Sequence, residues 1–223
     1  MPWVVGEIYH VFNRSVARQP IFNSSRDYGR ALESINFYSL AKQPTRFSYF
    51  QRMNFKDKAD FWNTLIAAKR SVDIMAFCLM PNHIHLLLKE NAELGISRFM
   101  RSWQNSYAKY YNTKNGRTGS LFQAMFKAVR IVSEEQLLHV SRYIHLNPYT
   151  GYIVGKIEDL ESYGWTSYPD YLGVRPREIV DTTMILGLLG DAEKLRAFTE
   201  NQADYQRRLG EIKHLLLEQG VVS

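Results

Sequence analysis

One cysteine, Cys78, stands in the 223 residues, which excludes an internal disulfide framework and any multi-cysteine zinc site. No apolar run approaches the roughly 18 residues that a membrane span requires. The opening MPWVVGEIYHVFNR lacks a basic n-region and a small-residue cleavage site, so no secretory signal is expected. No internal repeat or low-complexity tract stands out. Apolar residues at 45% and charged residues at 22% exclude disorder throughout and a coiled coil. A soluble, cytoplasmic, nucleoid-associated protein with a sizeable core is the expectation.

What is present begins with charge. Lys and Arg number 28 against 22 Asp and Glu, a formal net charge of +6, which favours polyanionic partners such as nucleic acid without singling them out. The 14 Tyr and 12 Phe add rings that can stack unpaired bases, although most such rings build cores.

Patterning gives the element order. Glu7 to Val16, EIYHVFNRSV, alternates as a strand. Tyr28, Leu32, Ile35 and Phe37 recur at near-helical spacing, predicting a helix from about Arg26 to Ala41, stopped by Pro44. The segment from Thr45 to Arg70 interleaves Phe47, Tyr49, Phe50, Phe55, Phe61 and Trp62 with basic residues; Lys56 to Ala68 within it reads as a helix. Such a mixture suits either a single-strand-binding surface or, as the preferred reading, an inserted helix packing its rings on the domain.

Val72 to Met80 is a nearly continuous apolar strand; Pro81-Asn82 turns the chain, and His83 to Glu90 returns as the hairpin's second arm. Gly95 to Lys114 carries Phe99, Trp103, Tyr107, Tyr110 and Tyr111 along one helical face. Met125 to Val132 is a fourth strand. Ser133-Glu134-Glu135-Gln136 forms a capping box opening a helix to about Leu146, closed by Pro148. A turn-rich stretch follows, then helices near Asp181 to Leu189 and Asp191 to Gln219.

Strand, helix, strand, strand, helix, strand implies an α+β fold: a ferredoxin-like four-stranded antiparallel sheet with helices on one face, an additional helix, and a helical C-terminal extension. Domain boundaries at 1–155 and 156–223 are expected, with a partly helical insertion at about 45–70.

Chemistry concentrates at His83-Ile84-His85. Alternation sends both imidazoles to one face of the strand while Ile84, Leu86 and Leu88 take the other. Two neutral imidazoles so spaced can share a divalent metal, or be partly exposed sheet histidines. A histidine-triad hydrolase would need a third histidine at position 87, which is Leu. A binuclear metallohydrolase would need an Asp-His pair that does not follow. Further along, Tyr143 and Asn147 lie one turn apart on a helix. They supply a phenol that can act as nucleophile and an amide oxygen that suits magnesium or manganese. His139 lies a turn earlier. Each also has a structural reading: Tyr143 a core ring, Asn147 a polar stop before Pro148, His139 a surface residue.

The segments MPNHIHLLLK (Met80 to Lys89), GSLFQAMFKAV (Gly119 to Val129) and SRYIHLNP (Ser141 to Pro148) resemble the single-tyrosine HUH transposases, in particular the REP-associated tyrosine transposases. The opening YHVFNRSVARQPIF (Tyr9 to Phe22) is similar to that family's first strand and loop, and Tyr163 to Gly173 to its usual extension. The resemblance implies a metal-dependent DNA strand transferase that cleaves and rejoins single-stranded DNA at hairpin or repeat ends through a 5′-phosphotyrosine. It implies Tyr143 as nucleophile and His83, His85 and Asn147 as ligands of Mg2+ or Mn2+. With DNA on the open sheet face, Arg14, Arg98, Arg101, Lys109, Lys127 and Arg130 are candidate phosphate contacts. Expected partners are single-stranded DNA with hairpin-forming repeats, for a monomer or homodimer and no membrane. Where such relatives often continue with Arg-Ala-Gly after the Asn-Pro pair and a small residue, this chain has Tyr149-Thr150-Gly151. Phe12 and Ser15 stand where Thr and Gly are frequent. The competing readings are a non-catalytic single-strand or hairpin binder and a replication- or conjugation-type HUH nickase.

Overall fold

The computed structural model describes residues 3–41, 43–66 and 69–208. Its sheet joins β1 (Ile8–Arg14), β2 (Val72–Met80), β3 (His83–Glu90) and β4 (Lys127–Arg130) in the order β2-β3-β1-β4, with β1 antiparallel to both β3 and β4. Read from the other edge this is 4-1-3-2, the ferredoxin-like arrangement expected from the element order. The helices are α1 (Ser25–Ser39), α2 (Phe47–Phe50), α3 (Phe55–Ile66), α4 (Gly95–Lys114), α5 (Glu134–Thr150), α6 (Tyr168–Tyr171), α7 (Thr183–Leu189) and α8 (Ala192–Glu200).

Two compact units divide the chain: Met1–Ile74 with Pro81–Ile131, and Met75–Met80 with Val132–Ser223. In the first, β1 alternates half-buried and buried residues, as a strand with one covered face must. Tyr9, Val11 and Asn13 pair with Leu88, Leu86 and Ile84 on the covered side. His10, Phe12 and Arg14 pair with Leu87, His85 and His83 on the other.

Helices α1 and α4 supply the cover. The buried stripe of α4 runs through Ile96, Phe99, Met100, Trp103, Tyr107 and Tyr111. Its polar tips find partners at α1 and the loop before it: the Trp103 indole N–H donates to Ala31 O at 3.3 Å and the Tyr107 hydroxyl to Ile21 O at 2.7 Å. Each fully buried large side chain contributes about 1.5–3 kcal/mol relative to exposure. Glu90 fixes where α4 begins. Its buried carboxylate accepts from the N–H groups of Gly95 and Ile96 at 2.7 and 2.8 Å, donors that the first turn leaves without helical partners. Position 95 must be glycine, because a Cβ there would sit 2.4 Å from Ser71 O.

The insertion packs most of its rings rather than presenting them. Phe47 and Phe50 are buried in a cluster with Phe37 and Leu40, flanked by Phe61 and Trp62, whereas Tyr49 and Phe55 are exposed. Residues 67 and 68 of the expected helix lie outside the described residues.

In the second unit α5 starts as its sequence predicts, with Ser133 Oγ accepting from Gln136 N at 3.1 Å. The Gln136 side chain reaches one residue further back than expected, to Val132 N at 2.8 Å. The helix also runs past Pro148 to Thr150. A proline in the last turn removes a single helical hydrogen bond, and Pro148 O then accepts from Ile153 and Val154. Tyr171 donates to Met75 O at 2.7 Å and Ser167 Oγ accepts from Phe77 N at 2.9 Å, tying the α6 region to Met75–Met80. The long last helix expected from Asp191 breaks after Glu200 at a turn, and helix resumes at 203–208. The remainder to Gln219 lies outside the described residues.

Candidate functional site

The face of β1 and β3 opposite the α1–α4 layer is not open as expected, since Leu87 and His85 on it are buried, but it forms a pocket of about 300 Å3 walled by Phe12, Arg14, His83, His85, Gln123 and Lys127. The His83 and His85 rings meet edge-on with centroids 5.2 Å apart, the convergence that alternate strand positions allow. Each imidazole uses Nδ1 for a protein contact. His83 Nδ1 lies 2.7 Å from Asn82 Oδ1, and Asn82 itself donates to Arg18 O at 2.9 Å, so Asn82 selects the His83 tautomer protonated at Nδ1. His85 Nδ1 lies 3.0 Å from His10 Nε2. The Asn82 contact leaves the lone pair of His83 on Nε2, and His85 presents Nε2 likewise when it donates from Nδ1 to His10.

Its surroundings keep His85 neutral. His85 is held well below the ordinary imidazole range, first by burial and then by His83, His10 and Arg14, whose charges disfavour another cation. Burial lowers His10 to about 4. Neutral imidazole is the form that ligates a metal. The donor chemistry therefore fits one divalent cation. Among the described residues no group of three or more His, Cys, Asp or Glu offers a metal centre; an amide oxygen, a phenol, water or substrate can complete the set around such an ion.

Tyr143 and Asn147 belong to the second unit, on one face of α5. Tyr143 is 42% exposed, which excludes the core-ring reading. Asn147 is buried, and its Nδ2 donates to Tyr143 O at 2.8 Å, which directs Oδ1 as the amide's acceptor. His139 is engaged by its own helix: its Nδ1 accepts from Arg142 Nη2 at 2.6 Å, and Nε2 lies 3.7 Å from Glu135. The nitrogen lone pair that could take a tyrosine proton is thereby occupied.

The six candidate phosphate contacts separate. Arg14 and Lys127 line the histidine pocket. Arg130, on β4, is paired to Glu7 at 2.9 Å. Arg98, Arg101 and Lys109 are exposed on α4, in the helical layer rather than on the face of the histidines. Arg98 bonds Glu93 O. Three neighbours escaped the sequence reading: His10, which enters through the β1–β3 register, and Asn13 and Gln123, where Asn13 Nδ2 donates to Gln123 O at 3.3 Å. The alternation His10, Phe12, Arg14 was the available signal for the first.

Comparison with known proteins adds a relationship over part of the chain. Residues 44–147 match the family model described as "Transposase IS200 like". That stretch, a little under half of the chain, contains His83, His85 and Tyr143 and ends at Asn147. The chain is thus related to the IS200-like tyrosine transposases over these residues. No curated protein matches it. Two solved structures are similar. A REP-associated tyrosine transposase bound to a REP hairpin is 16% identical, with a TM-score of 0.49 over 82% of this chain and 93% of its own. A Deinococcus radiodurans R1 protein described as a transposase is 15% identical, with a TM-score of 0.37 over 64% of this chain and 91% of its own. Among the described residues no helix is long and apolar enough to cross a membrane.

Proposed function

We propose that this protein is a metal-dependent transferase that cleaves and rejoins single-stranded DNA, with Tyr143 as the nucleophile. The observation that carries the reading is the convergent His83–His85 pair, each ring anchored through Nδ1, in a pocket that also holds Arg14 and Lys127. A bare binding surface has no need of two buried or half-buried imidazoles so anchored.

His83 and His85 through Nε2, and Asn147 through Oδ1, would hold Mg2+ or Mn2+; imidazole ligands make manganese well suited. When bound, such an ion polarises a phosphate and stabilises the leaving oxygen. Tyr143 Oη attacks the scissile phosphorus, forming an O–P bond to the 5′ side as the 3′ oxygen departs as a hydroxyl. A free tyrosine is on the order of 0.1% ionised at neutral pH, so its proton must leave as the bond forms. His139 is poorly placed to take it, given the Arg142 bond, and solvent beside the exposed Tyr143 is the simpler acceptor. Arg14 and Lys127 offset the phosphate charge. The phosphodiester energy stays in the tyrosyl link, so a second 3′-OH can reverse the step. Hairpin-bearing repeats are the substrates this reading favours, in keeping with the REP hairpin bound by one structural neighbour.

The test is incubation of the full chain with 5′- and 3′-labelled hairpin-bearing single strands and Mn2+. A denaturant-resistant protein–DNA adduct, lost in Tyr143→Phe and in His83→Ala, is expected. Mobility shifts with no adduct on any strand would overturn the transferase and leave a non-catalytic binder.

A further inference from the structure

A larger cleft, about 820 Å3, lies in the first unit between α1, the 43–48 segment and α4, on the side of α4 turned away from its buried stripe. It is not the histidine pocket, which lies on the other face of the sheet. Five cations line it: Arg26, Arg30, Arg46, Lys109 and Lys114. Lys114 is neutralised by the buried Asp27 at 2.6 Å. Among the described residues, no carboxylate lies within ion-pair distance of the other four. Four like charges gathered without close ion pairs repel one another, an arrangement that a bound polyanion relieves.

The lining also says which part of a polyanion is held. The Tyr110 hydroxyl donates to Asp27 at 2.8 Å and its ring lies under Arg30, 5.3 Å from the guanidinium carbon. Tyr38 accepts from Phe47 N and packs its ring edge-on against Phe37. Both rings are thus engaged by protein groups, and Ser102 and Ser106 add hydroxyl donors beside the cations. Arg26 and Arg30 stand about one helical turn apart, about 6 Å along the axis, with Arg46 and Lys109 on other elements. Charges dispersed in an open cleft suit successive phosphodiesters better than one compact phosphate group. Burial works against the Arg30 charge, ahead of the support from Glu33, so this cation is maintained at a cost.

We infer that this cleft grips the sugar–phosphate backbone of a nucleic-acid segment other than the one at the histidine pocket, without reading its bases. The inference rests on the reading that the chain handles nucleic acid, and the readouts below separate the two.

The triple variant Arg26→Gln, Arg46→Gln, Lys109→Gln leaves Arg30 on its Phe47 ring, 4.3 Å away, and should melt as the wild type does. The probes are a 40-nucleotide hairpin-bearing DNA, its scrambled-sequence counterpart, ATP and inorganic phosphate. The triple variant should bind both long DNAs more than tenfold more weakly. The slope of log affinity against log salt should flatten by roughly two to three counterions. Mn2+ affinity should stay at its wild-type value. Wild-type affinity and salt slope in the folded triple variant would overturn the inference. So would micromolar competition by ATP or phosphate, which would make the cleft a small-phosphate site. Because binding rather than adduct formation is read, a missing tyrosyl adduct sinks the transferase reading and leaves the cleft result standing.

Discussion

His10 Nε2 lies 3.0 Å from His85 Nδ1, and the two rings stack with centroids 5.2 Å apart. The pairing follows from register: His10 is opposite Leu87, one diagonal step from His85 on the same face. With both rings neutral, the bond leaves one arrangement that presents His85 Nε2 as a ligand atom, namely His85 donating from Nδ1 and His10 accepting. His10→Phe keeps a ring of similar shape and removes the acceptor. Calorimetric titration should show Mn2+ affinity falling about tenfold or more, in the range seen when a ligand's hydrogen-bond partner is lost. His10→Gln, which can still accept, should recover part of it. Unchanged affinity in a folded His10→Phe would mean that His10 orients nothing.

Acid should destabilise the second unit through His145. Burial lowers this imidazole to about 3, against about 6.5 when unfolded. Between those values the unfolded chain binds the extra proton. Stability is therefore complete above about pH 6.5 and falls as the pH drops, by about 2 kcal/mol at pH 5. His145→Phe cannot titrate, and Ser167 keeps its bonds to Phe77. Urea unfolding at pH 7 and pH 5 should show a smaller difference in this variant than in the wild type; equal differences would contradict the assignment.

Gly95→Ala tests the start of α4. The new Cβ would meet Ser71 O at 2.4 Å, a backbone atom that cannot swing aside, at the point where Glu90 holds the first turn. A loss of about 1–3 kcal/mol in urea unfolding is expected, in line with other overpacked sites. A neutral substitution would mean that the strand–helix junction is looser than its geometry implies.

Much of this was legible in the sequence because short-range patterns decided it. The sheet, its strand order and the shared face of His83 and His85 follow from alternation and element order, and the start of α5 from its capping residues. What was not legible depends on long-range pairing. His10 joins the site only through the β1–β3 register, Glu7 neutralises Arg130 from 123 residues away, and the cap that Glu90 gives the predicted Gly95–Lys114 helix follows no local capping motif. The sequence marks Arg98, Arg101 and Lys109 as basic. The helix it predicts over Gly95 to Lys114 carries them, but the separate cleft that Lys109 lines is not visible from it. Pro148 misled on the length of α5 because proline stops a helix less effectively in its last turn than in its middle.

The salt dependence of DNA binding should distinguish the basic residues at the sheet. Arg14 and Lys127 line the histidine pocket, and each phosphate contact to single-stranded DNA contributes about 0.7 to the slope of log affinity against log salt. Arg14→Gln and Lys127→Gln should each flatten that slope by about this amount for a short unstructured strand. The Arg130 charge is already compensated by Glu7, with bonds of 2.9 and 3.1 Å. Removing both members of that pair, Glu7→Gln with Arg130→Gln, leaves the local charge unchanged and should move the slope by much less. Fluorescence anisotropy across a series of salt concentrations measures all three. If the double variant flattens the slope as much as Arg14→Gln does, Arg130 reaches phosphate despite its partner, and the binding path extends along β4 beyond the histidine pocket.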